Sequence, residues 1–154
     1  MTPKKVMFGP VYGNMHTNSV HRDTKEILYN LLAERTPSQS ISHKEMPSFE
    51  EHCEFIDSRP YLFWYLIINQ NRKVVGSIYL TKQKEIGIHI FKQYRRRGYG
   101  KIAVTKFIKE YANSLSTELL TEFYANINPK NKASIALFKG LGFEHIQNTY
   151  KNTV

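Results

Sequence analysis

Between Tyr61 and Phe91 the chain carries three runs of aromatic and β-branched residues, Tyr61 to Asn69, Lys73 to Thr81 and Glu85 to Phe91. Only short polar turns join them, Asn69-Gln70-Asn71-Arg72 and Lys82-Gln83-Lys84. Connections this short cannot carry a strand back across a sheet, so the three must pair as an antiparallel meander. The segment after the third run breaks that rule. A basic glycine turn leads into an amphipathic helix with Val104, Phe107, Ile108 and Tyr111 on one face and Lys101, Thr105, Lys109 and Asn113 opposite. A further strand, Leu119 to Ile127, ends at Asn128-Pro129. A helix between two strands is a crossover, so Glu85 to Phe91 and Leu119 to Ile127 should lie parallel inside an otherwise antiparallel sheet.

The flanking segments complete an α/β chain. A short strand is expected near Val6 to Phe8, followed by an irregular loop, Gly9 to Ser19. Asp23 with Glu26 reads as a helix N-terminus ahead of Ile27, Leu28, Leu31 and Leu32; Ser48 with Glu51 starts a second helix carrying Phe49, Cys53 and Ile56. After the crossover, Asn131 to Gly140 is a helix with Ile135, Phe138 and Leu141 on its apolar side, and Gly142-Phe143 opens a last strand, Glu144 to Tyr150. With 154 residues, no repeat and no linker, one domain over residues 1–154 is expected.

Hydrophobic residues at 41% and charged residues at 23% exclude a disordered or fibrous chain. No apolar run approaches the ~18 residues of a membrane span, no secretory h-region follows Met1, and Cys53 is the one cysteine. A cytoplasmic protein without a metal or redox cysteine motif is expected. The net charge of +9 calls for an anionic partner. Lys92, Arg95, Arg96, Arg97 and Lys101 fall within ten positions around a pair of glycines. Such density suggests a compact phosphate site; a nucleic-acid surface spreads its charge and interleaves aromatics.

The turn itself reads Arg95-Arg96-Arg97-Gly98-Tyr99-Gly100-Lys101, between a strand and a helix. Glycines admit an anion close to the backbone, and the first N–H groups of the new helix point outward with the positive end of its dipole. A P-loop fails on spacing and on the missing hydroxyl after Lys101. Gly98-x-Gly100-x-x-Ala103 matches the dinucleotide fingerprint, but six residues separate it from Phe91 and the strands before it form a meander. The remaining reading is Arg-x-x-Gly-x-Gly. About thirty residues on stands Asn131-Lys132-Ala133-Ser134-Ile135-Ala136-Leu137-Phe138-Lys139-Gly140-Leu141-Gly142-Phe143.

With both segments in that order, the chain resembles the GNAT superfamily of N-acetyltransferases over roughly Lys73 to Phe143. Phrases such as Glu85-Ile86-Gly87-x-x-Ile90 and Gly76-Ser77-Ile78-Tyr79-Leu80 are similar to its ribosomal-protein and amino-sugar-nucleotide branch. The resemblance implies a mixed sheet with a splayed parallel strand pair, about four helices, and acetyl-CoA as co-substrate without a metal. It implies that main-chain groups near Ile90 bind the pantetheine arm. Arg95, Arg96, Arg97, Gly98, Tyr99 and Gly100 would cradle the pyrophosphate, and Asn131, with Ser134 and Phe138 of the second signature, would meet the cofactor. Arg96, Arg97, Lys101 or Lys132 would reach the 3′-phosphate. Glu85 is the favoured base, His89 its rival, with a β-bulge expected in that strand. Phe138 stands where many relatives carry tyrosine as general acid, so the acid is absent, a water or a nearby hydroxyl, for which Tyr124 and Tyr99 are the candidates.

The acceptor would be a primary amine on a small molecule such as an amino-sugar nucleotide, held near His16, His21, Arg22, His43, His52, Tyr61, Trp64 and Tyr65. A protein or peptide acceptor, a CoA-binding member that transfers nothing, and a basic nucleic-acid-binding module are the competing readings. A short C-terminus leaves one sheet edge for solvent or for a second subunit in a homodimer.

Overall fold

The computed structural model describes residues 4–13, 20–40, 45–114 and 122–154. The elements run β1 (Val6–Pro10), α1 (Arg22–Ala33), α2 (Phe49–Asp57), β2 (Phe63–Asn69), β3 (Val74–Leu80), β4 (Ile86–Ile90), α3 (Tyr99–Ser114) and α4 (Lys132–Gly140). One-turn 3-10 helices sit at Pro37–Gln39 and Lys92–Tyr94. The four strands form an antiparallel sheet in sequence order. β4 continues to a fifth segment through a single parallel bridge, Glu85 with Tyr124. This is the mixed α/β architecture expected from the sequence.

Alternation divides the sheet into two faces. Val6, Ile67, Ile78, Leu80 and Ile86 pack with Ala103, Val104 and Phe107 of α3 and with Phe138 of α4. The opposite face sets Trp64 and Leu66 against Leu28 of α1 and Ile56 of α2. Val75 and Ile78 are three apart yet share the α3 face, because the β2/β3 register shifts between Ile67 and Ile68. No such shift occurs in β4, where the expected bulge is absent: Gly76↔Ile90 to Leu80↔Ile86 pair without a break. Glu85, Gly87 and His89 therefore share the α1 side of the sheet.

Three local expectations are corrected. The N-cap of α1 is His21, whose Nδ1 accepts from the Asp23 N–H; Glu26 pairs with Arg22 instead of closing a capping box. Residues 144–150 form no strand, and Ile146 and Tyr150 are 72% and 89% exposed. β1 extends through Pro10, into the stretch read as loop. The Ser48–Glu51 capping box is present. The expected Leu119–Ile127 strand is seen only at Tyr124, its first residues lying outside the described ones.

Ile78 lies at the sheet centre with no exposed surface. Ile78→Ala should lower the unfolding free energy by about 2–5 kcal/mol, read from urea denaturation with an unchanged slope.

Candidate active site

The site grows from the point where β4 and the Tyr124 segment part. Tyr124 N–H donates to the Lys84 carbonyl (3.0 Å) and Ile86 N–H to the Tyr124 carbonyl (2.8 Å). A continuing parallel ladder would next join Ile88 N–H to Asn126, but no further rung forms. Phe91 N–H points the other way, to Val75 in β3 (2.9 Å). By alternation the N–H groups of Ile88 and Ile90 therefore face the opening and have no partner among the described residues. Such an unpaired edge can take an extended amide chain as a strand takes its neighbour.

At the open end of this wedge stands the N-terminus of α3. Ile102 N–H is the first to bond within the helix, to Gly98 (3.1 Å), so the N–H groups of Tyr99, Gly100 and Lys101 project ahead of it. Gly98 has φ +83° with open space where a Cβ would stand. Arg96 also adopts a left-handed φ, 59°, and Arg96, Arg97 and Lys101 are exposed around the helix end. A Cβ on Gly100 would lie 3.3 Å from Leu137 Cδ2, so α4 crosses close to this turn. The basic side chains and free N–H groups fit a pyrophosphate.

Several expected site residues have structural duties. Tyr99 is buried and meets Tyr94 edge-on. Asn131 caps α4, its Oδ1 accepting from Ser134 N–H (3.2 Å). Phe138 is core, edge-on to Phe143 at 5.0 Å. Tyr124 is exposed and its hydroxyl donates to Glu122 (2.7 Å), a bond that raises its pKa. Glu85 lies at the closed end of the wedge, where its Oε1 accepts from Asn126 Nδ2 and its Oε2 from the Thr81 hydroxyl (3.4 Å).

Arg95 turns inward, unlike its neighbours. Its Nε donates to the Ile90 carbonyl (2.9 Å) and a terminal nitrogen lies 3.2 Å from His89 Nε2. On the other side of the imidazole, Arg35 Nε donates to His89 Nδ1 (3.0 Å). Burial and the two guanidiniums push His89 down to about 3, so its ring is neutral and a weak base at neutral pH. Glu34 lies 3.9 Å from Arg95 and accepts from Lys92 N–H (2.7 Å), tying α1 to the loop. Neither Arg35 nor Glu34 stood out in the sequence, since an Arg at a helix end has no local signature.

The face on which the sequence placed the acceptor is aromatic. A Cβ on Gly87 would lie 2.0 Å from the Tyr79 ring, so glycine lets Tyr79 cross β4. Tyr79 stacks on Tyr61 at 3.9 Å. Trp64 donates to the Ser77 hydroxyl (2.7 Å), and His52 is buried on α2. Tyr65 belongs to the other face, stacked on Phe63 and Phe8. His21 and Arg22 are exposed at the start of α1; His16 and His43 lie outside the described residues.

The Acetyltransferase (GNAT) family matches residues 25–143. The chain belongs to that family. It is an acetyltransferase, and acetyl-CoA is its co-substrate. No curated protein sequence matches the chain. Among solved structures the acetyltransferase is similar to a domain from Methanocaldococcus jannaschii (TM-score 0.75, 22% identity, 97% of this chain and 94% of that one). It is also similar to spermidine N-acetyltransferase from Vibrio cholerae in complex with CoA and spermine (TM-score 0.66, 14% identity, 92% and 82%). At these identities the likeness is one of fold. Among the described residues no helix of the acetyltransferase is long and apolar enough to cross a membrane, and no cluster of His, Cys, Asp or Glu is placed to hold a metal.

Two outcomes follow for the acetyltransferase. Gly98→Val forces a β-branched residue into a left-handed turn beside the α3 N-terminus, so calorimetry should show CoA binding weakened at least tenfold. His89 is neutral when folded and ordinary when unfolded, so its contribution is full above about pH 6.5 and is lost as pH falls towards 3. Urea midpoints taken across that window should fall more steeply for the wild type than for His89→Gln.

Proposed function

We propose that the protein transfers acetyl directly from acetyl-CoA to the primary amine of a small acidic molecule, an amino-sugar nucleotide being the form that best fits its charge. The wedge carries this reading: one polar strand edge, closed at Tyr124 and open towards the α3 N-terminus. β4 spans roughly 16 Å from end to end. Phosphates held by Gly98 to Lys101, with Arg96, Arg97 and Lys101 nearby, would place an extended arm along Ile90 and Ile88 and bring its thioester towards Glu85. Bound there, acetyl-CoA supplies an activated acyl carbon. Asn131, Ser134 and Phe138 would shape the wedge through α4, as cap and core.

The amine must shed a proton before it attacks, and an ordinary amine is mostly protonated at pH 7. Glu85 is the base: a carboxylate at the closed end of the wedge, oriented by Asn126 and Thr81. His89, neutral between two cations, orients rather than abstracts. As the amine nitrogen bonds to the acetyl carbon, the carbon–sulfur bond breaks, and an N–H of β4 stabilises the carbonyl oxygen. The departing thiolate needs no strong acid, since thiols ionise near pH 8.5. The Tyr124 hydroxyl is the nearest tyrosine donor along the segment that closes the wedge, reaching the sulfur only by leaving Glu122.

A cytoplasmic homodimer is the fuller reading of partners, the exposed Ile146 and Tyr150 seating on a second copy. Light scattering should then give twice the chain mass, and Tyr150→Glu should return it to one.

The decisive experiment is acetylation of UDP-amino sugars, spermidine and basic peptides in parallel. UDP-amino sugars should turn over fastest; acetylation of peptides or spermidine alone would end this reading. Glu85→Gln should lower turnover about 10²–10⁴-fold at neutral pH with CoA affinity intact. Unchanged turnover across pH would remove Glu85 from the mechanism.

A further inference from the structure

His89 presents a chemical contradiction that the protein alone does not resolve. Both of its ring nitrogens face guanidinium groups, Nδ1 towards Arg35 Nε at 3.0 Å and Nε2 towards an Arg95 terminal nitrogen at 3.2 Å. Arginine has no lone pair to offer, and a neutral imidazole has one accepting nitrogen. One of the two contacts therefore sets N–H against N–H.

The charges are no better matched. Arg95 has Glu34 at 3.9 Å, but Glu34 also holds the Lys92 N–H. Arg35 makes no ion pair with any carboxylate among the described residues. Its charge is felt at His52 of α2 and at Tyr61 as well as at His89. His52 Nε2 is itself buried without a hydrogen-bond partner. A half-buried guanidinium whose Nε is spent on a neutral ring still has its terminal N–H groups, the pair that grips a carboxylate or phosphate edge.

Location selects the ligand. By strand alternation His89 lies on the α1 side of β4, with Gly87, the Tyr79–Tyr61 stack and Glu85. The basic α3 terminus, with Arg96, Arg97 and Lys101 exposed, stands at the same open end but on the α3 face of the sheet. Glu85 is four residues from His89, roughly 13 Å along the strand. An acceptor lying along this face would place its amine near Glu85 and its acid group near Arg35.

We propose that Arg35 and Arg95, converging on His89, form an anion subsite for the acceptor, which is therefore an amine carrying a phosphate or carboxylate group about 13 Å or less from its reacting nitrogen. This rests on the acetyl-transfer reading for the word acceptor, but the subsite is testable without it. An anion bridging the two guanidiniums removes the unmatched charge and lets His89 settle into one tautomer.

The test follows the ring signals of His89 by NMR, assigned with His89→Gln, in protein saturated with CoA. Inorganic phosphate and acetate are titrated separately. At least one should shift the His89 signals saturably, and the one that does names the acid group. Arg35→Gln should raise its apparent Kd at least tenfold, and Arg35→Lys, which keeps charge but loses the fork, should recover part. Two matched pairs extend the test to turnover, phosphoethanolamine with ethanolamine and lysine with cadaverine. The acidic member of one pair should be preferred by the wild type and not by Arg35→Gln.

Three results would overturn the subsite. Neither anion moves His89; Arg35→Gln titrates like the wild type; or CoA alone shifts His89 and blocks both anions, which would assign the cluster to the cofactor. If CoA does not bind, the acetyl-transfer reading fails first, and the same titration on the free protein still decides the subsite.

Discussion

The site depends on a ladder that stops. Two hydrogen bonds join Tyr124 to the backbone around Glu85, and there the pairing ends. The segment beyond spends its polar groups elsewhere. Asn126 reaches the Glu85 carboxylate, and Asn128 Nδ2 donates to the carbonyls of Ser40 (2.8 Å) and Pro37 (3.4 Å) in the chain after α1. Pro129 has no N–H to offer any strand. Asn126 holds the closed end, while the Asn128 contacts carry the segment towards the chain after α1 and leave the Ile88 and Ile90 amides facing an opening. In most sheets a bare edge is a liability to be covered. Here it is flanked by the start of α3, by α4 and by the end of α1, and becomes the place where an extended ligand can complete the sheet.

Positive charge is partitioned across that opening. Arg96, Arg97 and Lys101 are exposed around the α3 terminus, where helix dipole and side chains are placed to act together on an anion. Arg95, one position earlier, is folded under the loop to hold the Ile90 carbonyl and face His89. The left-handed turn at Arg96 separates the two directions. One basic run thus serves two faces of the sheet. Glu34 fixes the geometry from α1 by holding both Arg95 and the Lys92 amide.

Much of this was legible in residues close in sequence. The three strands of the meander, both crossover-side helices and the Ser48–Glu51 cap follow from period and capping chemistry, which act within a few residues. The misreadings are of three kinds. At α1 two side chains competed for one helix end, and His21 took it from Asp23. At the C-terminus Gly142-Phe143 was read as opening a strand over Glu144 to Tyr150, but a strand needs a partner edge and none pairs with it among the described residues. The expected bulge in β4 came from resemblance rather than from any residue, and the register runs through unbroken.

Sequence alone determined that a strand would feed a basic glycine turn and a helix, because turn chemistry and helical period are local. It also marked Glu85 and His89 as chemically able groups. Their surroundings were decided by the tertiary structure. Arg35 is 54 positions from His89, and Glu34 is 58 from Lys92. Nothing local distinguishes a helix-end arginine that meets an imidazole from one that meets water. Folding α1 onto the sheet put two guanidiniums on one ring and turned the histidine from a base of ordinary strength into a neutral spacer. Long-range contacts set burial and charge, and these determine what an ionisable side chain can do.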